Sequence, residues 1–336
     1  MHTLMAATDL SSRSGKALHQ AVLIALQCRA RLVILHVVDE AQPAELVDRI
    51  AEVKAFLTPC AADIAKLNDL EVDVVVRLGI PHLVIADTAR EQAVDLIVMG
   101  AHQKDAWRDL FSNTTIEQVL RSGVAPVLLV NEDPVPLYRR VLFAIDAANP
   151  SARAAYAARN LPFLEAADIS VLHAFWAPGK GKLRQAGVNP ARIAQYVEET
   201  ALEAAFDLVS FLHQEGRHDP IEKIVFTEGE PVSAIRQAAA RWRSQLAVIG
   251  IQRRTGLRRL LCPSSAKQIL RQVSCDILAV PLKDSSRTVR DPAEPDRLRV
   301  WPYPWTLVQK SGSGRISPLP ATVRRPGGTP ACRGRS

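Results

Sequence analysis

The sequence predicts two tandem parallel α/β domains, and three observations lead there. Short, nearly continuous apolar runs alternate along the chain with segments of helical period. Strands covered on both faces read as such runs, and β–α alternation builds a parallel, doubly wound sheet. The same set of runs then occurs twice, at a constant spacing on either side of one insertion. Between the copies, Asn131-Glu132-Asp133-Pro134-Val135-Pro136 carries two prolines, which halt strand and helix alike. The domains so delimited are residues 1–132 and 138–284.

The first copy opens on Leu4-Met5-Ala6-Ala7-Thr8-Asp9, an apolar strand ending in an acid. Leu18, Ala21, Val22 and Ala25 recur at helical spacing and put one apolar stripe on the next segment. Leu32-Val33-Ile34-Leu35-His36-Val37-Val38 is the second strand, and Gly79-Ile80-Pro81 closes the third. Asp95 to Gly100 forms the fourth. Thr114-Thr115 then opens a helix through Val119 and Leu120, and Ala125 to Val130 is the last strand.

In the second copy, Val141 to Asp146 repeats the first strand 137 residues later, and Ile169 to Phe175 repeats the second, with His173 matching His36. A 13-residue insertion in the Gly/Lys-rich stretch from Pro178 to Pro190 raises the spacing to 150. Ile193, Val197, Ala201, Ala204, Ala205, Leu208 and Leu212 mark the following helix. Gly229-Glu230-Pro231, Gln245 to Gly250, Ser264-Ser265 and Cys275 to Val280 complete the repeat at the new spacing.

Charge is distributed unevenly. The 336 residues carry a formal charge of +7, all of it in residues 285–336, where ten Lys or Arg face three acids. Residues 1–284 hold 32 residues of each sign, so a basic, nucleic-acid-binding body is excluded as a first reading. The last 52 residues contain eight of the 22 prolines and five glycines without helical or strand period, and are expected to be disordered. Val300-Trp301-Pro302-Tyr303-Pro304-Trp305 is the one docking-like cluster in them. No signal peptide is expected, because the N-terminus lacks a basic region followed by a long apolar stretch, and no membrane span, because the sequence has no run of about 18 apolar residues. Five scattered cysteines without a C-x-x-C pair argue against a zinc site or a disulfide framework. A reduced, cytoplasmic protein is the expectation.

Ligands of open parallel sheets sit beyond the carboxyl ends of the strands, where strand order reverses. That places Asp9 and Asp146, Val38 and Phe175, Gly100 and Gly250 at the candidate sites. Thr114-Thr115 and Ser264-Ser265 follow as hydroxyl residues at helix starts, which cap the helix and present free N–H groups to an anion.

These runs together resemble the universal stress protein (UspA) family in its tandem, two-domain form. The resemblance rests on the first strand ending in Asp9, with Ser11 and Ser14 after it, and on Leu35-His36-Val37-Val38-Asp39. The run Val94 to Gly100 and the late strand Pro126 to Val130 complete it. It implies a five-stranded parallel α/β sandwich per domain, adenine-nucleotide binding in some members, and dimerisation through the last strand. It further implies a role in stress survival, and an acid at the Asp9 position lying near adenine and ribose.

Nucleotide-binding members of that family use G-x-x-G, nine residues, then G-S/T. Here Gly100 is followed by Gln103, Asn113 and Thr114, and Gly250 by Arg253, Pro263 and Ser264. Glycine lets backbone N–H groups approach phosphate closely; Asn113 tolerates positive φ, whereas Pro263 removes a donor. Arg253, Arg254, Arg258 and Arg259 make the second loop strongly basic, suited to an anion or to a solvated surface.

No carboxylate–His–nucleophile order and no metal-ligand motif can be assembled. His36 and His173 read as structural, hydrogen-bonded histidines. The expected function is a non-catalytic stress-response protein that binds a small anionic ligand or a protein partner. Its two domains would pack as an internal pseudo-dimer, with a homodimer as a further possibility. The alternative is an ATP- or AMP-binding switch with nucleotide in one domain. Nucleic-acid binding through the basic tail is a third and weaker reading.

Overall fold

The computed structural model describes residues 1–39, 46–101, 114–146, 151–214, 223–251, 268–269 and 272–282. The tail from 285 and both loops after the fourth strands, with Gln103, Asn113, Arg253, Arg254, Ser264 and Ser265, lie outside the described residues.

The first repeat runs β1 (Thr3–Thr8), α1 (Ser12–Cys28), β2 (Arg31–Val38), α2 (Leu46–Asn68), β3 (Val72–Leu78), α3 (Pro81–Glu91), β4 (Leu96–Gly100), α4 (Thr115–Ser122) and β5 (Val127–Val130). The second runs β6 (Arg140–Ala144), α5 (Ser151–Ala157), β7 (Asp168–Phe175), α6 (Lys180–Gln185), α7 (Pro190–Gln214), β8 (Lys223–Glu228), α8 (Pro231–Arg241), β9 (Leu246–Ile251) and β10 (Asp276–Pro281).

All ten strands form one sheet in the order β3-β2-β1-β4-β5-β10-β9-β6-β7-β8. Pairing is parallel within each half and antiparallel only where β5 meets β10. The two five-stranded halves thus join last strand to last strand.

Alternate strand residues feed two apolar layers. Leu4, Leu32, Ile34, Leu96, Val98 and Leu128 pack with Val53, Leu57 and Ala61 of α2 on one face. Met5, Val33, Leu35, Ile97 and Leu129 pack with Ile85 of α3 and Val119 of α4 on the other. Both layers continue into the second repeat, through Phe143, Val248 and Leu278 on one face and Leu142, Ala247 and Ile277 on the other. Each such Leu or Ile, removed from water entirely, contributes about 1.5–3 kcal/mol.

The second repeat departs from the first in two places. The counterpart of α1 stops at Ala157 and continues as 3-10 turns at Ala158–Asn160 and Pro162–Leu164. Pro162 cannot sit inside a helix, and the break lets Phe163 bury itself against the Tyr138 ring at a centroid distance of 6.3 Å. The insertion contains α6, tied down by Lys180 Nζ on Glu228 Oε2 at 2.6 Å and by Tyr196 Oη accepting from the Gly179 N–H at 3.1 Å.

The linker lies at the surface, part of it exposed, and several of its backbone polar groups are held by buried side chains. Gln20 of α1, 1% exposed, accepts from the Val135 N–H (2.8 Å) and donates to the Val135 carbonyl (3.1 Å). Asp276 at the start of β10, also 1% exposed, accepts from the N–H groups of Asn131 (2.7 Å) and Glu132 (3.1 Å) and from the Tyr138 hydroxyl (2.6 Å).

Candidate functional site

The strand order sets the position of the site. From β1 the chain goes to β2 on one side, and from β3 it returns to β4 on the other, so strand order reverses between β1 and β4. At the carboxyl ends of those strands lies a cavity of about 220 Å³.

Its two walls differ in chemistry. Leu35, Val37, Pro81, Ile85, Met99 and Ile116 supply the apolar side; Thr8, Asp9, Ser11, Arg13, Ser14, His36 and Thr115 supply the polar one. The polar side is held by a local network around the start of α1. Ser11 caps the helix, its Oγ accepting from the Ser14 N–H at 3.3 Å. The Ser11 N–H donates to Asp9 Oδ1 at 3.0 Å and the Ser11 hydroxyl to the same oxygen at 2.5 Å. Thr8 Oγ1 and Ser14 Oγ lie 2.9 Å apart, and the Leu10 N–H donates to Thr8 Oγ1 at 3.0 Å. Partial burial works to raise the Asp9 pKa, but the Ser11 and Ser14 hydrogen bonds prevail and hold the carboxyl below its ordinary range. Asp9 is therefore an ionised acceptor at neutral pH.

Gly100 has a packing role. A Cβ there would stand 2.8 Å from the carbonyl carbon and oxygen of Arg13 and 3.0 Å from the Ser14 nitrogen. The missing side chain is what lets the end of β4 touch the first turn of α1. Thr114 caps α4, accepting from the Glu117 N–H at 3.3 Å, while Thr115 lines the cavity.

His36 and His173 behave alike. Nδ1 of His36 bonds the Thr8 carbonyl at 2.9 Å, and Nδ1 of His173 bonds the Ile145 carbonyl at 2.8 Å. Each ties the second strand of its repeat to the end of the first. In the second repeat Asp146 is exposed just past β6, and Gly250 pairs with Val280 inside the sheet.

Val38 is 4% exposed and is not among the residues that line the cavity, whereas its neighbour Val37 is. Phe175, the counterpart of Val38, belongs to the apolar layer shared with α7. Val38 and Phe175 are the last residues of β2 and β7, and successive strand residues point to opposite faces, so Val37 and Val38 face different sides. The sequence pattern also does not single out Arg13, Pro81, Ile85 or Met99. Arg13 does leave a signal: it stands in a first helical turn that holds no acid, where the helix dipole disfavours a cation.

Among the described residues no group of three or more His, Cys, Asp or Glu side chains is placed to hold a metal ion, and no helix is long and apolar enough to cross a membrane. Cys275 is buried, and burial followed by the nearby Asp276 charge pushes its thiol up to about 12, so it is a packing residue.

Comparison with known proteins places this architecture. The chain is 36% identical over 58 residues to a universal stress protein of Methanocaldococcus jannaschii, a match covering 17% of this chain and 35% of the relative. It thus spans about a third of that curated relative's length. Among solved structures, a universal stress protein from Archaeoglobus fulgidus aligns with a TM-score of 0.60 at 16% identity, covering 84% of this chain and 98% of that one. A Pseudomonas aeruginosa protein of unknown function aligns with a TM-score of 0.53 at 17% identity, covering 84% and 92%. At those identities the likeness concerns the fold. The universal stress protein family model matches residues 1–131 and 137–281, most of the chain and both repeats, and the chain belongs to that family.

Proposed function

We propose that this protein acts in the stress response as a non-catalytic binding protein, holding a small anionic ligand in the cleft of its first repeat. The observation that carries the reading is the cavity between the ends of β1 and β4, with one apolar and one polar wall. An adenine nucleotide suits that division. A flat base is taken by Val37, Pro81 and Ile85, ribose hydroxyls by the ionised Asp9, and phosphate by Ser11, Arg13 and Thr115. At about 220 Å³ the cavity falls below the roughly 300–1,000 Å³ of a site that encloses a whole small ligand, so part of the nucleotide lies in the open mouth.

ATP or AMP is accordingly the ligand class we favour, with no reaction assigned to it. The two domains are taken as residues 1–132 and 138–284, joined as an internal pseudo-dimer in a cytoplasmic protein. Titration calorimetry of the nucleotide-stripped full chain with magnesium ATP and with AMP tests the reading. Saturable binding below millimolar ligand supports it, and silence at millimolar ligand removes it. Mass spectrometry of small molecules that copurify with the native protein gives an independent answer.

A further inference from the structure

Each repeat serves as an internal control for the other. Along the polar wall of the first cleft, Thr8, Ser11 and Arg13 correspond to Ile145, Ala148 and Pro150 in the second repeat. All three polar groups are lost there. In the segment from the end of β3 into α3, which supplies the lining residues Pro81 and Ile85, the exchange runs the other way: Leu78, Ile80 and Leu83, 41%, 50% and 50% exposed, correspond to Glu228, Glu230 and Ser233.

The fold does not require these differences. Glu230 caps α8, its carboxylate accepting from the N–H groups of Val232 and Ser233 at 3.1 and 2.8 Å. Ile80 precedes α3 in nearly the same backbone conformation and makes no side-chain cap bond. The first repeat thus gives up a cap and keeps apolar side chains in water in the segment that supplies Pro81 and Ile85 to the cavity, where the second repeat is polar.

Arg13 is the one Lys or Arg among the described residues that line that cleft. It lines the cavity, is partly buried, and has no ion-pair partner among the described residues. Its main chain rests against Gly100, so the guanidinium projects from a fixed point. The nearby acid, Asp9, is engaged by Ser11. A guanidinium in this setting offers a phosphate two parallel charge-assisted hydrogen bonds.

We propose that the chain binds one anionic ligand, in the first repeat only, with Arg13 holding its phosphate and the Val37–Pro81–Ile85 wall holding its flat body. This rests on reading the first cleft as an adenine-nucleotide site. Calorimetry of the nucleotide-stripped full chain with magnesium ATP, AMP and adenosine, on the parent, Arg13→Gln and Arg13→Lys, tests it. The expected result is one equivalent per chain. ATP and AMP weaken about tenfold or more in Arg13→Gln, adenosine changes less than about twofold, and Arg13→Lys recovers part of the loss. Two equivalents of ATP per chain overturn confinement to the first repeat. Unchanged ATP affinity in Arg13→Gln, or equal weakening of ATP and adenosine, overturns the role of Arg13. A variant that is merely unstable loses both ligands together, so the ATP-to-adenosine ratio decides even then. A parent that binds none of the three instead fails the underlying reading of the cleft.

Discussion

Leu128 of β5 and Leu278 of β10 stand directly opposite one another in the antiparallel pair that joins the two repeats. They are also equivalent residues, 150 positions apart at the spacing that relates the repeats beyond the insertion. The register is therefore symmetric about this pair: Leu129 faces Ile277 and Val127 faces Ala279. A local two-fold axis passes between two fully buried leucines, and the contact is one that two identical chains would make with each other.

Because both leucines are 0% exposed in the same apolar layer, neither can be shortened without leaving a cavity that the other also lines. Leu128→Ala and Leu278→Ala should each cost about 2–5 kcal/mol. The double variant should depart from additivity by at least about 0.5 kcal/mol, since the second truncation enlarges an existing void. Urea denaturation of the four proteins closes the cycle. Strict additivity would argue that the two side chains do not share a packing site.

The repeat makes the strands and their parallel pairing legible, because continuous apolar runs and a constant spacing are local, countable signals; the last-strand junction is legible only through the family resemblance. The cleft is less so. Asp9, Gly100 and Thr115 are legible, but spacing alone presents Gly100 as a phosphate-loop glycine, whereas its visible contact is with Arg13, far away in sequence. The sequence places Val38 at the end of β2, where it stands, but does not show which of the last two strand residues turns its side chain to the cavity; Val37 does. The anchoring of the linker leaves no local signal either: nothing nearby marks Gln20 and Asp276 as partners for its backbone groups.

Two glycines beside the cleft should respond in opposite directions. Gly100→Ala drives a methyl group against the Arg13 and Ser14 backbone, which cannot swing away as a side chain tip would. It should cost about 1–3 kcal/mol and weaken ligand binding by displacing the first turn of α1. Gly15, within α1, has nothing within 4 Å of an added Cβ, so Gly15→Ala should stabilise by about 0.5–1 kcal/mol. Thermal melting distinguishes the two, and equal signs would show that Gly100 is not a contact glycine.

Ile80, next in sequence to the cavity-lining Pro81, offers a trade between stability and binding. Ile80→Glu copies the residue that caps α8, in a backbone already at φ −73°, ψ 119° against −69°, 128° for Glu230. The variant should gain about 0.5–1 kcal/mol of stability from the new cap. It should also lose roughly fivefold in adenosine affinity, the worth of about 1 kcal/mol of apolar contact. A gain in stability with adenosine affinity unchanged would show that Ile80 does not face the ligand.

Asp276 gives the fold a defined pH dependence. Burial raises its carboxyl; hydrogen bonds from Tyr138 and from the Glu132 and Asn131 N–H groups oppose that, the Glu132 charge adds to it, and the net pKa lies above the ordinary value. The folded state therefore holds the proton more tightly than the unfolded chain, whose aspartates titrate near about 3.9. The contribution to stability is complete below that value and is lost as pH rises through the raised folded value. Asp276→Asn keeps an acceptor for the two N–H groups and a polar partner for Tyr138, but does not titrate. Parent and variant share every other ionisable group. Their difference in urea stability, followed from about pH 4 to about pH 8, should thus move steadily in favour of the Asp276→Asn variant and then level off. Asp276→Ala, which strands the Tyr138 hydroxyl and two backbone donors, should lie below both at every pH, by about 1–3 kcal/mol for each group left unpaired. A parent that gains on Asp276→Asn as pH rises would mean that the hydrogen bonds outweigh burial and that the carboxyl is held below, not above, its ordinary range.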